Sequence, residues 1–265
     1  MTEFHKKSLV RLKNGLRAHR DSPNPAVRWS IRGITAAYSR LVGAVIVAND
    51  PERRSILLTK LLDGGRMHQG VGTTAMDRFP EIFAACRDFF GGRSNLNLLS
   101  FGCSTGEEVM TLRQYFPTAF ITGAEINRRS LGQCRKRTVD GRISFACSDR
   151  GTLLRRAPFD AIFCMAVLQR IPLKKVDGEF PASLKSIYPF ERFDEQITEF
   201  DQLLKKGGLL VVHAKAYALH HASVSANYEL LAKAPKPTPD GIKYDRDSRR
   251  TADSGGLGSI FIKVK

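Results

Sequence analysis

The chain is poor in acidic residues and has no apolar run long enough to cross a membrane. It contains 26 Asp and Glu against 42 Lys and Arg, so the formal net charge is +16 over 265 residues. The longest mostly apolar stretch, residues 34–48, contains Arg40 and is too short to span a bilayer, which predicts a buried or interface helix. Lys6 and Lys7 are not followed by the apolar segment of a signal peptide. We therefore expect a cytoplasmic protein without a membrane span.

Cysteine is also scarce, and no two cysteines have the spacing of a paired metal-ligand motif. The five are Cys86, Cys103, Cys134, Cys147 and Cys164. Three of them fall in or beside predicted strands, where cysteine packs as a small apolar side chain. The odd number and this placement predict a reducing compartment and a site without a metal ion.

The excess positive charge is concentrated near the amino terminus. The first 60 residues contain 12 Lys and Arg and 4 Asp and Glu, a net +8 and half of the total. We predict that residues 1–66 form a basic, mainly helical extension and that residues 67–265 form the main domain. Such an extension is typical of contact with nucleic acid or an anionic surface, although a solvated helical face has the same composition. No zinc-ligand set or known RNA-binding signature accompanies it.

Residues 97–112, NLLSFGCSTGEEVMTL, have the pattern of a strand, a tight turn and a helix. Gly102 and Gly106 bound the turn, at positions where a side chain would keep a ligand away from the backbone. The N–H groups at the start of the helix can bind polar ligand atoms. The segment therefore predicts a nucleotide-type cofactor site in an α/β domain.

The turn lacks the features of a phosphate-binding loop. No Lys follows Gly106, as a P-loop requires, and Ser104 stands where a dinucleotide-binding turn has glycine. Glu107 and Glu108 suit the dipole of the helix but would repel a pyrophosphate. A cofactor with a positive centre and no phosphate fits better, and S-adenosylmethionine, with its sulfonium, ammonium, ribose and adenine, is such a molecule.

The segment LSFGCSTGEEV resembles motif I of class I S-adenosylmethionine-dependent methyltransferases. Within it, GCSTGEE is especially similar to the corresponding residues of chemoreceptor-glutamate methyltransferases. The resemblance implies a Rossmann-like, seven-stranded and mostly parallel sheet with flanking helices. It also implies that the turn residues contact the cofactor, namely Gly102, Cys103, Ser104 and Gly106. A glycine-containing turn without a ligand is the alternative.

Two acids follow at the ends of the next predicted strands. Glu125 ends the second strand, 19 positions (125 minus 106) after Gly106, close to the spacing of about 20 at which an acid meets ribose hydroxyls. We expect it to bind the ribose, with Ile126 and Asn127 beside the cofactor. The third strand is Ile143–Cys147, and by resemblance Asp149 after it binds the adenine amino group.

The fourth strand, residues 159–168, is apolar at nearly every position, as in a strand that is covered on both faces. FDAIFCMAVLQRI resembles the fourth motif of the family, which places Cys164 beside the cofactor. Met165 and Ala166 replace the Arg-Asn pair of the glutamate methyltransferases, so glutamate methylation is an alternative rather than the first hypothesis. A helix over residues 191–206 stopped by glycines, a fifth strand over residues 209–213 and an antiparallel strand over residues 259–264 complete the predicted sheet.

The acceptor is less defined than the cofactor. The motifs of adenine-N6, cytosine-5 and catechol methylation are missing, which leaves oxygen, or less often nitrogen, of a small molecule or saccharide. His213 is the candidate general base, and a buried structural histidine is the competing interpretation. Gln169 and Arg170 are candidates to orient the acceptor.

Two further groups of residues are candidates around the acceptor and the cofactor. The segment after the fifth strand offers acceptor contacts from Tyr217, His220 and His221. Residues 69–80 resemble the segment that closes over the cofactor in these methyltransferases, and Arg78 in it is our candidate partner of the methionine carboxylate. A methyltransferase-fold protein that only binds nucleic acid remains the second class of function.

Overall fold

A computed structural model describes residues 29–30, 33–34, 37, 47–70, 72, 74–169, 180–233, 243–251 and 258–265. Most of the predicted apolar helix over residues 34–48, and Arg170, lie outside these residues. The chain divides into two compact units, Met1–Leu57 and Leu58–Lys265. The described part of the first unit is helical except at Asp50. Within the described ranges, no helix is both long and apolar enough to cross a membrane.

Seven strands form the main sheet, and helices follow most of the parallel ones. The helices are α1 (Pro51–Asp63), α2 (Pro80–Phe90), α3 (Glu107–Tyr115), α4 (Arg128–Cys134), α5 (Arg150–Leu154) and α6 (Phe190–Leu203). The strands are β1 (Asn97–Phe101), β2 (Phe120–Glu125), β3 (Ile143–Cys147), β4 (Phe159–Met165), β5 (Leu204–His213), β6 (Tyr228–Lys233), β7 (Lys243–Tyr244), β8 (Arg250–Thr251) and β9 (Gly258–Lys263). Two short 3-10 helices, Leu219–His221 and Ser225–Asn227, follow β5, and β7 and β8 pair separately.

The strand order is β3-β2-β1-β4-β5-β9-β6. The strands from β3 to β5 are parallel, whereas β9 runs antiparallel to β5 and to β6. This order confirms the predicted Rossmann-like α/β fold, including the late antiparallel strand. The chain adds strands on one side of β1 up to β3 and then crosses to β4 on the other side. At such a switch point a crevice opens at the carboxyl ends of the strands, and ligands bind there in folds of this kind.

Two apolar clusters cover the two faces of the sheet. On one face, Phe83 of α2 and Leu112 of α3 pack with Phe163 of β4. On the other, Ile197 and Phe200 of α6 pack with strand residues of β1 and β4. The central strands are therefore buried on both sides, as their apolar sequences predict.

The helix before β5 is shorter than predicted. It ends at Leu203 rather than at residue 206, and Lys205 and Lys206 already belong to β5. Lys205 Nζ donates to Asp160 Oδ1 (2.8 Å), and Leu204 pairs with Phe159 in register. Four residues then bulge before Leu209 pairs with Ala161. Of the two glycines in this bulge, Gly207 has a left-handed backbone (φ +77°), and a Cβ at Gly208 would lie 2.9 Å from the carbonyl oxygen of Asp160, so both serve the strand instead of stopping a helix.

Candidate functional site

The glycine turn after β1 is fixed to the end of β2. The N–H groups of Gly102 and Cys103 both donate to the carbonyl of Ala124, at 2.8 and 3.1 Å. Gly102 (φ +74°), Ser104 (φ +50°) and Gly106 (φ +95°) have left-handed backbones. The turn therefore has one defined shape before any ligand arrives.

The reason for glycine at position 102 differs from the predicted one. A Cβ there would lie 2.5 Å from Val167 Cγ2, in the loop after β4, so the position is closed by packing as well as by its φ. At Gly106 a Cβ would lie 3.1 Å from Nε of Arg137. Packing against Val167 therefore favours glycine at position 102, whereas at position 106 the left-handed backbone is the main reason.

Glu125, the last residue of β2, accepts hydrogen bonds both from the glycine turn and from the loop that follows β2. Its Oε2 accepts from the Ser104 N–H (2.8 Å) and its Oε1 from the Asn127 N–H (2.7 Å). The side chain is only 8% exposed, and burial raises its pKa against the opposing backbone hydrogen bonds of Asn127, Ser104 and Ile126. The structure thereby brings together four of the predicted cofactor residues, and each carboxylate oxygen keeps a second lone pair for a hydroxyl.

Asp149 lies beside this group, because the Ser148 N–H donates to the carbonyl of Glu125 (3.3 Å). One Asp149 oxygen accepts from the Thr152 N–H (2.8 Å) and caps α5. Desolvation alone would raise the pKa of Asp149, but hydrogen bonds from Thr152 and Cys147 and the attraction of Arg66 lower it. Asp149 is therefore an ionised acceptor at the carboxyl edge of the sheet.

Glu108 is a half-buried carboxyl group whose sequence position predicts only a favourable interaction with the helix dipole. Its Oε1 accepts from Ser100 Oγ (2.8 Å), and Ser100 pairs with Phe163 across the β1–β4 switch point. Burial raises its pKa to about 7, against the hydrogen bond from Ser100 and the attraction of Arg78. The only sequence feature that points to this residue is the second Glu of GCSTGEE. In the fold, Glu108 reaches back to Ser100 of β1, eight positions earlier.

The described residues 66–70, 72 and 74–79 contact elements at the carboxyl edge of the sheet. At one end, His68 is buried and hydrogen-bonded to Tyr188 Oη (2.8 Å) and Gln196 Oε1 (3.0 Å). In the middle, the carbonyl of Gly72 accepts from Ser104 Oγ (2.9 Å). At the other end, the Asp77 N–H donates to Thr111 Oγ1 (2.9 Å). The carbonyl of Gly72 therefore lies against the glycine turn, and closure of this segment over a cofactor stays a prediction.

Arg78 lies in this segment with its side chain exposed. Its guanidinium is 4.7 Å from the ring centroid of Phe79, and its charge acts on Glu108. The predicted carboxylate partner is therefore on the correct side of the turn. Its role towards a cofactor stays a prediction.

His213 ends β5 beside Met165 of β4. Its Nδ1 and Ser259 Oγ are hydrogen-bonded (2.9 Å), and Phe79 packs edge-on against its ring at 4.7 Å between centroids. The side chain is 7% exposed. The hydroxyl of Ser259 on β9 and the ring of Phe79 thus hold the imidazole in one orientation, at the same edge of the sheet as the glycine turn.

Backbone strain marks the strand ends around this edge. Ala166 (φ +59°) follows β4 and Ala214 (φ +51°) follows β5, although neither is glycine. Together with Ser104 after β1, they are three non-glycine residues in the left-handed region at neighbouring strand ends. Such strain is stored where a structure needs a defined loop shape, and it concentrates at functional sites.

Cys103 and Cys164 contribute little accessible surface to this edge. Cys164 is fully buried in the core, where burial raises the pKa of its thiol. Cys103 is 2% exposed, and its carbonyl accepts from the Gly106 N–H (2.9 Å). Both face the protein interior in this structure, and no group of three potential metal ligands occurs among the residues described.

The predicted acceptor residues after β5 divide into two kinds. Tyr217 is fully buried, its hydroxyl donates to the carbonyl of Tyr188 and is hydrogen-bonded to Ser248 Oγ (3.1 Å), and burial raises its pKa to about 12. It therefore holds the loops after β4 and β5 together. His220 and His221 lie with ring centroids 4.1 Å apart. Gln169, the predicted acceptor contact after β4, donates from its side chain to the carbonyl of Ala166 (3.3 Å).

Residues 98–189 match the family model described as "Methyltransferase domain". No curated protein matches the chain. Among solved structures, it is similar to the plantazolicin methyltransferase BpumL in complex with SAH, at 13% identity and a TM-score of 0.38, over 69% of this chain and 59% of that one. It is also similar to SAM-bound CalS10, an amino pentose methyltransferase from Micromonospora echinaspora involved in calicheamicin biosynthesis, at 20% identity and a TM-score of 0.37, over 58% and 55% of the two chains.

The chain thus spans 59% of the length of the first of these structures. The family match is more informative because of what it contains. The glycine turn, Glu108, Glu125 and Asp149 all lie inside it. This segment supports an S-adenosylmethionine-dependent methyltransferase.

Proposed function

We propose that the chain binds S-adenosylmethionine at the carboxyl edge of the sheet and transfers its methyl group to an oxygen of a small molecule or saccharide. The observation that carries the proposal is Glu125. It is a buried carboxylate tied by hydrogen bonds to the glycine turn and to Asn127, within a segment that matches a methyltransferase domain.

The polar groups at this edge fit that cofactor better than a phosphate-bearing one. Glu125, Glu108 and Asp149 are all carboxyl groups, and Glu107 is paired with Arg137. The ionised Asp149 would repel a pyrophosphate, and the oxygens of Glu125 and Glu108 offer hydrogen-bond acceptors where a phosphate needs donors. They suit ribose hydroxyls, an ammonium group and an adenine amino group, each of which donates hydrogen bonds to a carboxylate.

Each residue then has an assigned partner. Glu125 would accept from the ribose hydroxyls and Asp149 from the adenine amino group. Arg78 would pair with the methionine carboxylate, which would otherwise be desolvated alone. Glu108, beneath the turn and already under the influence of Arg78, would face the positive end of the methionine portion.

The chemistry that this cofactor supplies is a methyl group on a positively charged sulfur. The contribution of the chain is to hold the acceptor in line and to take its proton. His213 would accept the proton of the acceptor hydroxyl, because Ser259 and Phe79 fix its ring at the edge where the turn lies. The segment that contains Arg78 would exclude water from above.

Calorimetric titration with S-adenosylmethionine and with its demethylated product tests the cofactor assignment. Glu125→Gln should weaken both, while Glu229→Gln, an exposed acid on β6, should bind as the wild type does. Methyl transfer from labelled cofactor to a panel of sugars, hydroxylated small molecules and glutamate-containing peptides then tests the acceptor. Labelling of the glutamate peptide alone would replace our proposal with the chemoreceptor-type activity, and no titration heat with either ligand would refute the cofactor assignment.

A further inference from the structure

The opposite, amino-terminal edge of the sheet carries a groove formed by two adjoining cavities. One has a volume of about 600 Å³ and is lined by Gly91–Leu96 with Asp160 and Lys205. The other has a volume of about 430 Å³. Its lining comes from the first residues of β1, β2 and β3 and from nearby turns, including Asn97, Phe120, Thr122, Arg142, Ser144 and Arg156. Arg142 Nη1 donates to Asn95 Oδ1 (2.6 Å) and so joins the two cavities. We call this surface the basic groove.

The groove has an excess of positive charge. Asp160 accepts from Lys205 Nζ and from the Asn97 N–H, and Asp140 is paired with Arg113. Both acids are thus neutralised. Among the described residues, the guanidinium groups of Arg93, Arg142 and Arg156 are not within ion-pair distance of a carboxylate. Three positive charges therefore remain for an anionic partner, in a chain whose net charge is +16.

Two of these arginines have their guanidinium carbons over aromatic rings. Arg142 is 4.8 Å from the ring centroid of Phe120, and Arg93 is 4.7 Å from that of Phe90. Phe120 is 47% exposed, although it begins a strand of the main sheet. An exposed ring offers a planar face on which a base can stack, and the neighbouring arginine offers a charge for the phosphate.

Hydroxyl groups line the floor between these planes. Thr122 Oγ1 and Ser144 Oγ are 3.4 Å apart, and Arg156 Nη1 donates to Ser144 Oγ (2.8 Å). These groups can exchange hydrogen bonds with base edges or sugars. Arginines without a carboxylate in ion-pair contact among the described residues, one exposed aromatic ring and hydroxyl groups thus lie together in one groove. These are the groups from which a single-stranded nucleic acid site is built.

We propose that the basic groove binds single-stranded nucleic acid, with phosphates on Arg142 and Arg156 and a base stacked at Phe120. An anionic membrane is a poorer match because the charged residues surround cavities instead of flanking an exposed apolar face. An acidic peptide would leave the aromatic faces unused. The proposal does not depend on methyl transfer, since the groove and the glycine turn are at opposite edges of the sheet.

Fluorescence anisotropy of the full chain with labelled oligouridylate and oligothymidylate of about ten nucleotides tests it, a length within the range that single-strand sites cover. Titrations at about 50 and 200 mM salt measure the phosphate contribution. The variants are Arg142→Gln with Arg156→Gln, and separately Phe120→Ala. The matched control is Lys185→Gln with Arg249→Gln, which removes the same charge from exposed positions away from the groove.

We expect the groove double variant to bind about tenfold more weakly or worse and to lower the slope of log K against log salt by about 1.4, or 0.7 for each lost phosphate contact. Phe120→Ala should weaken binding about fivefold or more with an unchanged slope, because stacking is not ionic. The control should lose little. Comparison of the two oligonucleotides decides between RNA and DNA.

Three results would overturn the proposal. They are equal losses in the groove and control double variants, an unchanged affinity in Phe120→Ala, or binding of phosphatidylserine vesicles with none of either oligonucleotide. Thermal melting and cofactor titration on each variant show whether it is folded. A groove variant that loses oligonucleotide but keeps cofactor separates this inference from the proposed methyltransferase activity.

Discussion

The Ser104 N–H donates to Glu125 Oε2 across 2.8 Å, which ties the turn after β1 to the end of β2. The same carboxylate takes the Asn127 N–H on its other oxygen. A single side chain therefore shapes two of the loops that meet at the carboxyl edge. Its hydrogen-bonding capacity is half used by the backbone, and the remaining half is what a ribose requires.

Replacement of this carboxylate should therefore weaken cofactor binding. We expect Glu125→Gln to weaken binding of S-adenosylmethionine by roughly 1.5–3 kcal/mol, the usual loss for a hydrogen bond to a charged group. Calorimetry against Glu229→Gln measures the difference. An affinity equal to that of the wild type would remove Glu125 from the cofactor site.

Gly102→Ala should destabilise the fold whether or not a ligand is present. The added Cβ would lie 2.5 Å from Val167 Cγ2 at a φ of +74°. We expect a loss of roughly 2–4 kcal/mol in the free energy of unfolding, from backbone strain and overpacking together. Urea unfolding measures it.

Gly92 provides the matched control for this substitution. Its φ is +79°, but an added Cβ would meet nothing within 4 Å. Gly92→Ala should therefore show the backbone strain alone, about 1–2 kcal/mol, and Val167→Ala should partly rescue Gly102→Ala. Equal losses at the two glycines would show that the contact with Val167 is not the cause.

The fold was predictable from the sequence wherever local pattern and burial agree. The nearly continuous apolar run of β4 and the helical spacing after Gly106 led to the correct elements. The helix before β5 was predicted to end three residues too late. Its end coincides with contacts to a distant strand, because Leu204 pairs with Phe159 and Lys205 binds Asp160. Two lysines followed by two glycines are equally typical of the end of a helix and of a bulge in a strand, so the local sequence does not distinguish them.

The candidate site was predictable where a motif names the residue and not where folding changes its environment. Glu125 follows from its spacing to Gly106. Glu108 does not, because only the folded chain places it under Ser100 and away from water. Likewise, nothing in FDAIFCM distinguishes a thiol that faces a ligand from one in the core, where Cys164 lies.

Glu108 should make stability depend on pH. Burial raises its pKa from 4.5 to about 7, so between these values the folded chain holds a proton that the unfolded chain has released. Stability should therefore fall as pH rises from about 4.5 to about 7 and stay level above. The full effect of such a shift is roughly 3 kcal/mol.

The variant Glu108→Gln isolates this contribution, because its amide still accepts from Ser100 without ionising. We expect it to be more stable than the wild type at pH 8 and little different at pH 5, by urea unfolding at each pH. Glu81→Gln, at an exposed position of α2, is the control. Parallel pH profiles for the wild type and Glu108→Gln would contradict an elevated pKa.

His213→Asn should separate binding from chemistry. Asparagine can still bond to Ser259 and fill part of the space beside Phe79, but it cannot take a proton. If His213 is the general base, the rate of methyl transfer to the acceptor found by screening should fall by roughly 10²–10⁴-fold, with cofactor affinity unchanged. Ser259→Ala should have a smaller effect, since the imidazole stays and only its orientation loosens. A full rate in His213→Asn would assign His213 to the packing of β5 against β9. A loss of cofactor affinity would instead place the ring in the cofactor pocket.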